Sequence, residues 1–137
     1  MKKLSFWALI SSSLALSPMA IADVSDGSAV IGKPWSEVVD LARGGEVNWF
    51  LWGGSDNINR YVSEYIGGIL KDRYDIKLNR VGLSDTVEGV NIVLGEKENG
   101  LNDNGSVDMI WINGENFRTM KQGNLAFCGY LDTLPNN

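Results

Sequence analysis

The chain has 137 residues, enough for one domain, and its 44% apolar and 21% charged residues are those of an ordinary globular protein. Twelve basic against seventeen acidic residues give a net charge of −5, and the basic ones (Arg43, Arg60, Lys71, Arg73, Lys77, Arg80) stand singly among acids, a pattern that argues against nucleic-acid binding. There is no histidine, which excludes Ser-His-Asp and Cys-His catalysis and removes the commonest zinc ligand. The one cysteine, Cys128, has no partner for an internal disulfide or a thiolate metal site and is read as a buried or half-buried thiol.

Met1-Lys2-Lys3, an apolar stretch from Leu4 to Leu16, and the ending Met19-Ala20-Ile21-Ala22 form a basic start, a short apolar core and an Ala-x-Ala site, the three parts of a secretory signal peptide. The core is too short to anchor in a bilayer, which takes roughly 20 apolar residues. Cleavage is expected after Ala22, giving a mature chain from Asp23 with 10 basic and 17 acidic residues once Lys2 and Lys3 are gone. The expected location is the periplasm, with no membrane anchor after cleavage.

Along the mature chain, Trp35 to Arg43 has helical apolar spacing and stops at Gly44-Gly45, where glycine accepts a left-handed cap. Glu46 to Trp52 reads as a strand apolar on both faces, hence covered on both sides. Gly53-Gly54-Ser55 breaks it. A long helix is predicted from about Asp56 to Asp72 on the stripe Ile58, Tyr61, Val62, Tyr65, Ile66, Ile69 and Leu70, with Gly67-Gly68 explained by close packing on a sheet. Asp75 to Val81 alternates as an edge strand does and ends at Gly82. Asp85, with Glu88 three residues on, suits a helix start, and that helix runs to about Lys97 with Val87, Val90 and Leu94 inward. Residues 99–106 form a loop, Val107 to Ile112 a third buried strand, and Glu115 to Gln122 a last helix. Leu125 to Asn137 reads as extended chain and loop.

Strands alternating with amphipathic helices imply right-handed crossovers and a parallel sheet, an α/β fold in three layers. The apolar first and third strands belong inside and the alternating second at an edge, so the expected strand order is 2-1-3. Ligands of such sheets bind beyond the carboxyl ends of the strands, at the switch in strand order, here between strands one and three. Three polar turns meet at that end: Trp52-Gly53-Gly54-Ser55-Asp56-Asn57, Leu83-Ser84-Asp85-Thr86, and Asn113-Gly114-Glu115-Asn116. Each opens a helix, whose free N–H groups are donors to a ligand. The candidate ligand-binding residues are therefore Trp52, Gly53, Gly54, Ser55, Asp56, Asn57, Ser84, Asp85, Asn113, Gly114, Glu115 and Asn116. The plainer reading makes Ser84, Asp85 and Asn113 helix caps, Gly53-Gly54 a tight turn, and Trp49 and Trp111 core residues. Neither a GxGxxG nor a Walker phosphate loop is present. Trp52 has the best claim to a ligand.

The run Trp52-Gly53-Gly54-Ser55-Asp56-Asn57-Ile58-Asn59-Arg60-Tyr61, followed by Gly105 to Phe117 with Asp108-Met109-Ile110-Trp111-Ile112-Asn113-Gly114-Glu115-Asn116, resembles the YnjB-type substrate-binding proteins of ABC importers. The resemblance implies a type II periplasmic binding-protein fold: two α/β lobes, a hinge and a solute between them. It places the binding loops at the Trp52 and Asn113 turns. Family members are much longer, so residues 23–137 are expected to be the front part of lobe one, with the second lobe missing, the third strand open at one edge, and clamp closure beyond this chain's reach. The implied function is solute capture and delivery to an ABC permease in the inner membrane, with no catalysis and no cofactor, and with weak or absent solute binding by this chain alone. Asp56, Asp85 and Glu115 at the helix starts oppose an anion and suit a cationic or zwitterionic solute, or else only complement the helix dipoles. The rival readings are a non-functional truncated remnant and an exported α/β enzyme, for which the pair Asp56 and Glu115 would be the best available carboxylates.

Overall fold

A computed structural model describes residues 29–127 and 129–136. The expected signal peptide and Cys128 lie outside the described residues. The elements run α1 (Trp35–Ala42), β1 (Glu46–Trp52), α2 (Asp56–Arg60), a π-helical segment (Tyr61–Ile66), α3 (Gly67–Tyr74), β2 (Lys77–Leu83), α4 (Thr86–Glu98), β3 (Met109–Ile110) and α5 (Gly114–Gln122), then a short 3₁₀ turn (Leu131–Thr133). Among the described residues, no helix is long and apolar enough to cross a membrane.

The three strands make one parallel sheet of order β2-β1-β3, the order read from the sequence. β1 pairs along its whole length with β2, from Glu46 opposite Lys77 to Trp52 opposite Leu83, and briefly with β3, Trp49 opposite Met109 and Phe50 opposite Ile110. Helices cover both faces. Gly67 at the head of α3 lies against Leu78, and Gly89 of α4 lies against Leu83 and Ile110. Side chains alternate along a strand, so Leu78 and Leu83 mark opposite faces of the sheet. The core between these layers is Phe50, Leu51, Val62, Leu83, Val90 and Met120. Both Phe50 and Leu51 are buried, as expected of a central strand covered on two sides.

Several elements depart from the periodicity. β2 starts and ends two residues later than alternation indicates and carries Gly82 inside it. The long helix is not one α-helix: its middle widens into the π segment, which shifts the angular position of everything after it. Tyr61 and Tyr65, both within that segment, lie off the buried stripe and stack on each other in solvent, ring centroids 5.2 Å apart. Of the glycine pair, only Gly67 meets the sheet; a Cβ on Gly68 would meet nothing. In α4, Val90 is buried, but Val87 and Leu94 are exposed, because the contact with the sheet runs through Gly89 and Val90. The third strand shrinks from six expected residues to Met109–Ile110. Its outer edge pairs with no strand among the described residues, and a groove of about 1000 Å³ runs beside it, lined by Trp35, Val38, Val93, Phe127 and Leu134 among others.

Polar side chains fix the register where β1 and β2 begin. Lys77 Nζ donates to Glu46 Oε1 (2.9 Å), and Asn79 Nδ2 donates to both Glu46 Oε2 (3.0 Å) and Asn48 Oδ1 (3.1 Å). The Asn48 N–H donates to Asp108 Oδ2 (2.7 Å), and the Asp108 N–H returns to the Asn48 carbonyl (3.2 Å). This ladder crosses all three strands. The hydrogen bonds and charge of Lys77, with the amide of Asn79, hold the Glu46 carboxyl below its ordinary range. A lowered native pKa adds stability above the unfolded-state value, and that stability is lost as pH falls through the native one. The stability difference between wild type and Glu46→Gln is accordingly expected to be small and largest near neutrality, because the pair is solvent-exposed, and to vanish in acid. Urea titrations at a series of pH values check this.

The two glycines of α4 give a sharper contrast. A Cβ on Gly89 would stand 2.6 Å from Ile110 Cδ1 and 3.2 Å from Leu83 Cδ1, whereas one on Gly95 would meet nothing within 4 Å. Gly89→Val is expected to lose about 1–3 kcal/mol by overpacking. Gly95→Ala is expected to gain up to about 1 kcal/mol through helix propensity. Both are read from denaturant midpoints.

Candidate functional site

Parallel pairing of β3 to β1 brings their carboxyl ends to one rim. There an open cleft of about 230 Å³ is lined by Trp52, Ile58, Thr86, Trp111, Ile112 and Asn113. The corner after β1, the corner after β3 and the start of α4 all contribute to it, which is where the switch in strand order places a ligand.

Each corner is built by local chemistry. The Gly53 N–H donates to the Leu83 carbonyl (2.9 Å), and the Asn59 side chain donates back to the Gly53 carbonyl (2.8 Å), which clamps the corner between β2 and α2. Ser55 caps α2 through Oγ, which accepts from the Ile58 N–H at 3.5 Å, a long bond. Neither Gly53 nor Gly54 has a positive φ. Their smallness serves close approach: a Cβ on Gly53 would stand 3.3 Å from Gly82 Cα, and one on Gly54 would stand 2.1 Å from Trp52 Cζ2. The Trp52 indole thus folds back directly onto Gly54. At the other two corners Asp85 caps α4 by accepting from the Val87 N–H (3.0 Å), and Asn113 caps α5 by accepting from the Asn116 N–H (3.1 Å). Glu88 reaches back to the Ser84 N–H (3.4 Å), so Ser84 is held by the cap instead of forming it. α5 begins at Gly114, one residue ahead of the expected start.

Of the twelve residues singled out from sequence, Trp52 and Asn113 line the cleft. Gly53, Gly54, Ser55, Asp56, Asn57, Ser84, Asp85, Gly114, Glu115 and Asn116 form the turns around it. Asn57 is engaged with Arg60, whose Nη2 donates to its Oδ1 at 2.9 Å. Four lining residues were not singled out: Ile58, Thr86, Trp111 and Ile112. Trp111 is the main correction. Read as core, it is 54% exposed and stands with Trp52, 51% exposed, on the cleft wall. Its apolar neighbours in the strand concealed this. Trp49 is half-buried with its Nε1 sealed from solvent and unpaired.

No family model matches the chain, and no solved structure matches it. The chain is similar to Protein YnjB of Escherichia coli (strain K12), at 42% identity over 108 residues. That stretch is 79% of this chain but 28% of that protein. Membership of a substrate-binding protein family, expected from the Trp52 and Asn113 motifs, is therefore not upheld: the similarity is to part of one protein whose name states no binding or transport activity. What stands is a likeness over 79% of this chain.

Among the described residues no three His, Cys, Asp or Glu side chains come together as metal ligands. The cleft has an apolar wall of two indoles and two isoleucines with the Asn113 amide and the Thr86 hydroxyl at its margin. Concave, largely apolar surfaces edged by a few polar groups are the usual form of small-molecule sites. Gly54→Ala is expected to drive the Trp52 ring off the corner, since 2.1 Å is below any carbon contact, with little loss of stability because the ring is half exposed. A change in tryptophan emission with an almost unaltered urea midpoint is the expected result. Asn113→Ala, in contrast, removes a cap and is expected to cost about 1 kcal/mol in the same titration.

Proposed function

We propose that the chain is the solute-capturing part of an exported protein that delivers a small molecule to a membrane permease of the ABC type. The observation that carries the reading is the meeting of the Trp52 and Asn113 corners in one concave cleft at the carboxyl rim of a parallel sheet. Open α/β sheets bind ligands there, and small-molecule sites are concave, largely apolar and edged by a few polar groups. Supporting it, the opening residues have the pattern of a secretory signal, which fits capture outside the inner membrane, in the periplasm. Solute would lie across the indoles with polar groups toward the margin. The opposite wall would come from polypeptide beyond this part, as the similarity to 28% of a longer protein is consistent with.

Delivery of this kind requires binding without turnover. The test is a small-molecule panel monitored by NMR of the indole N–H signals, with recovery of the unaltered compound. A saturable shift of the Trp52 and Trp111 signals, lost in Trp52→Ala and Trp111→Ala, is expected. Chemical conversion of the compound, or shifts confined to tryptophans outside the cleft, would contradict the reading. Mass spectrometry of the secreted protein checks the export component: the expected N-terminus is Asp23, and retention of Met1 to Ala22 on exported protein would contradict it.

A further inference from the structure

The cleft's chemistry narrows the class of solute, on the footing that it is a solute site. Its wall carries two indoles that do not stack on each other: the stacked ring pairs among the described residues are Tyr61–Tyr65 and Phe127–Tyr130. One side of the Trp52 ring is taken up by Gly54, and about half of its surface is open. Trp111 is open to a similar extent. The cleft is lined by no charged side chain, so the sign of its field is set by the turns around it.

Those turns are acidic. Asp56 stands in the first turn of α2 and Glu115 in the first turn of α5, and Asp85 caps α4. Asp85 is used by the Val87 N–H. The carboxylates of Asp56 and Glu115 have no hydrogen-bond or ion-pair partner among the described residues. The nearby cations do not balance them. Arg60 turns to Asn57. Arg80 has Nε and Nη1 sealed from solvent without a partner, alongside Gly82 and outside the cleft lining. Arg118 lies a turn further along α5. The acids are too dispersed to chelate a metal ion. Open indole faces attract a cation through the ring quadrupole, and unpaired carboxylates around an apolar wall add a long-range field of the same preference. We infer that the cleft takes an organic cation, a quaternary or fully substituted ammonium group seated on Trp52 and Trp111, with Asp56 and Glu115 supplying the field. An ammonium group that keeps few N–H donors suits this wall, because the cleft offers it few acceptors.

The test uses the full chain and three probes: choline, its neutral isostere 3,3-dimethylbutan-1-ol, and sodium acetate. Each is titrated at constant ionic strength while the indole N–H signals are followed, assigned with Trp52→Phe and Trp111→Phe. The expected result is a saturable shift of the Trp52 and Trp111 signals with choline, at least about fivefold tighter than with the alcohol, and none with acetate. In the Asp56→Asn/Glu115→Gln variant the ratio of choline to alcohol affinity should fall by about half or more, a ratio taken within one sample and so insensitive to partial unfolding. Equal affinity for choline and the alcohol, or a response to acetate alone, would overturn the cation inference while leaving the solute site standing; acetate binding would direct attention to Arg80. No response to any of the three would overturn the cation inference, and the wider small-molecule panel then decides whether the cleft is a solute site.

Discussion

Everything at the candidate site depends on β1 being paired on both sides in parallel. The strand holds β2 along seven residues and β3 along two, and a parallel pair must send both following turns to the same rim. The longer pairing is secured by backbone bonds from end to end. The shorter is secured by the exchange between Asn48 and Asp108 below it and by the Trp111 N–H donating to the Phe50 carbonyl (2.9 Å) above it. Three hydrogen bonds and two residues of ladder therefore fix the position of one entire cleft wall.

Much of the architecture was legible because it rests on periodicity and punctuation. The run Glu46 to Trp52 is apolar on both faces and lies in the middle of the sheet. Gly44 takes a positive φ of 78° where the first helix stops, and Asp85 and Asn113 cap the helices they precede. Where the pattern misled, the cause was a feature that a one-dimensional period does not contain. Tyr61 and Tyr65 sit in the π segment and face solvent, although the helical period places them on the apolar stripe. The exposure of Trp111 was hidden for a different reason: a residue flanked by isoleucines reads as core whether or not any layer covers it. Met109 and Trp111 lie on the face opposite Ile110 and remain about half exposed, so burial there is decided by what packs on β3. Gly54 shows the same limit. Its place in a turn was evident, but not that its missing Cβ makes room for the Trp52 ring.

The core is small. The buried apolar residues among those described lie on β1, the π-helical segment, β2, α4 and α5, while α1 buries none of its residues and the groove along β3 stays open. An unpaired apolar strand edge is a surface that associates. In this chain it sits beside the structural feature that carries the functional reading, so the cleft's second indole is held by the least supported strand of the sheet. Stability and binding are thereby linked: anything that orders β3 also orders Trp111. It is the joint geometry of the two corners, more than either motif alone, that gives the rim its character.

That joint geometry is open to a direct measurement. Nuclear Overhauser contacts between β1 and β3 report the direction and register of the pair without reference to any ligand. Contacts joining Trp49 to Met109 and Phe50 to Ile110, with the Trp52 indole reaching the Asn113 corner, are the result this account requires. A pairing of opposite direction, with contacts from residues after Ile112 to Glu46 and Val47, would put the two corners at opposite ends of the sheet and contradict it.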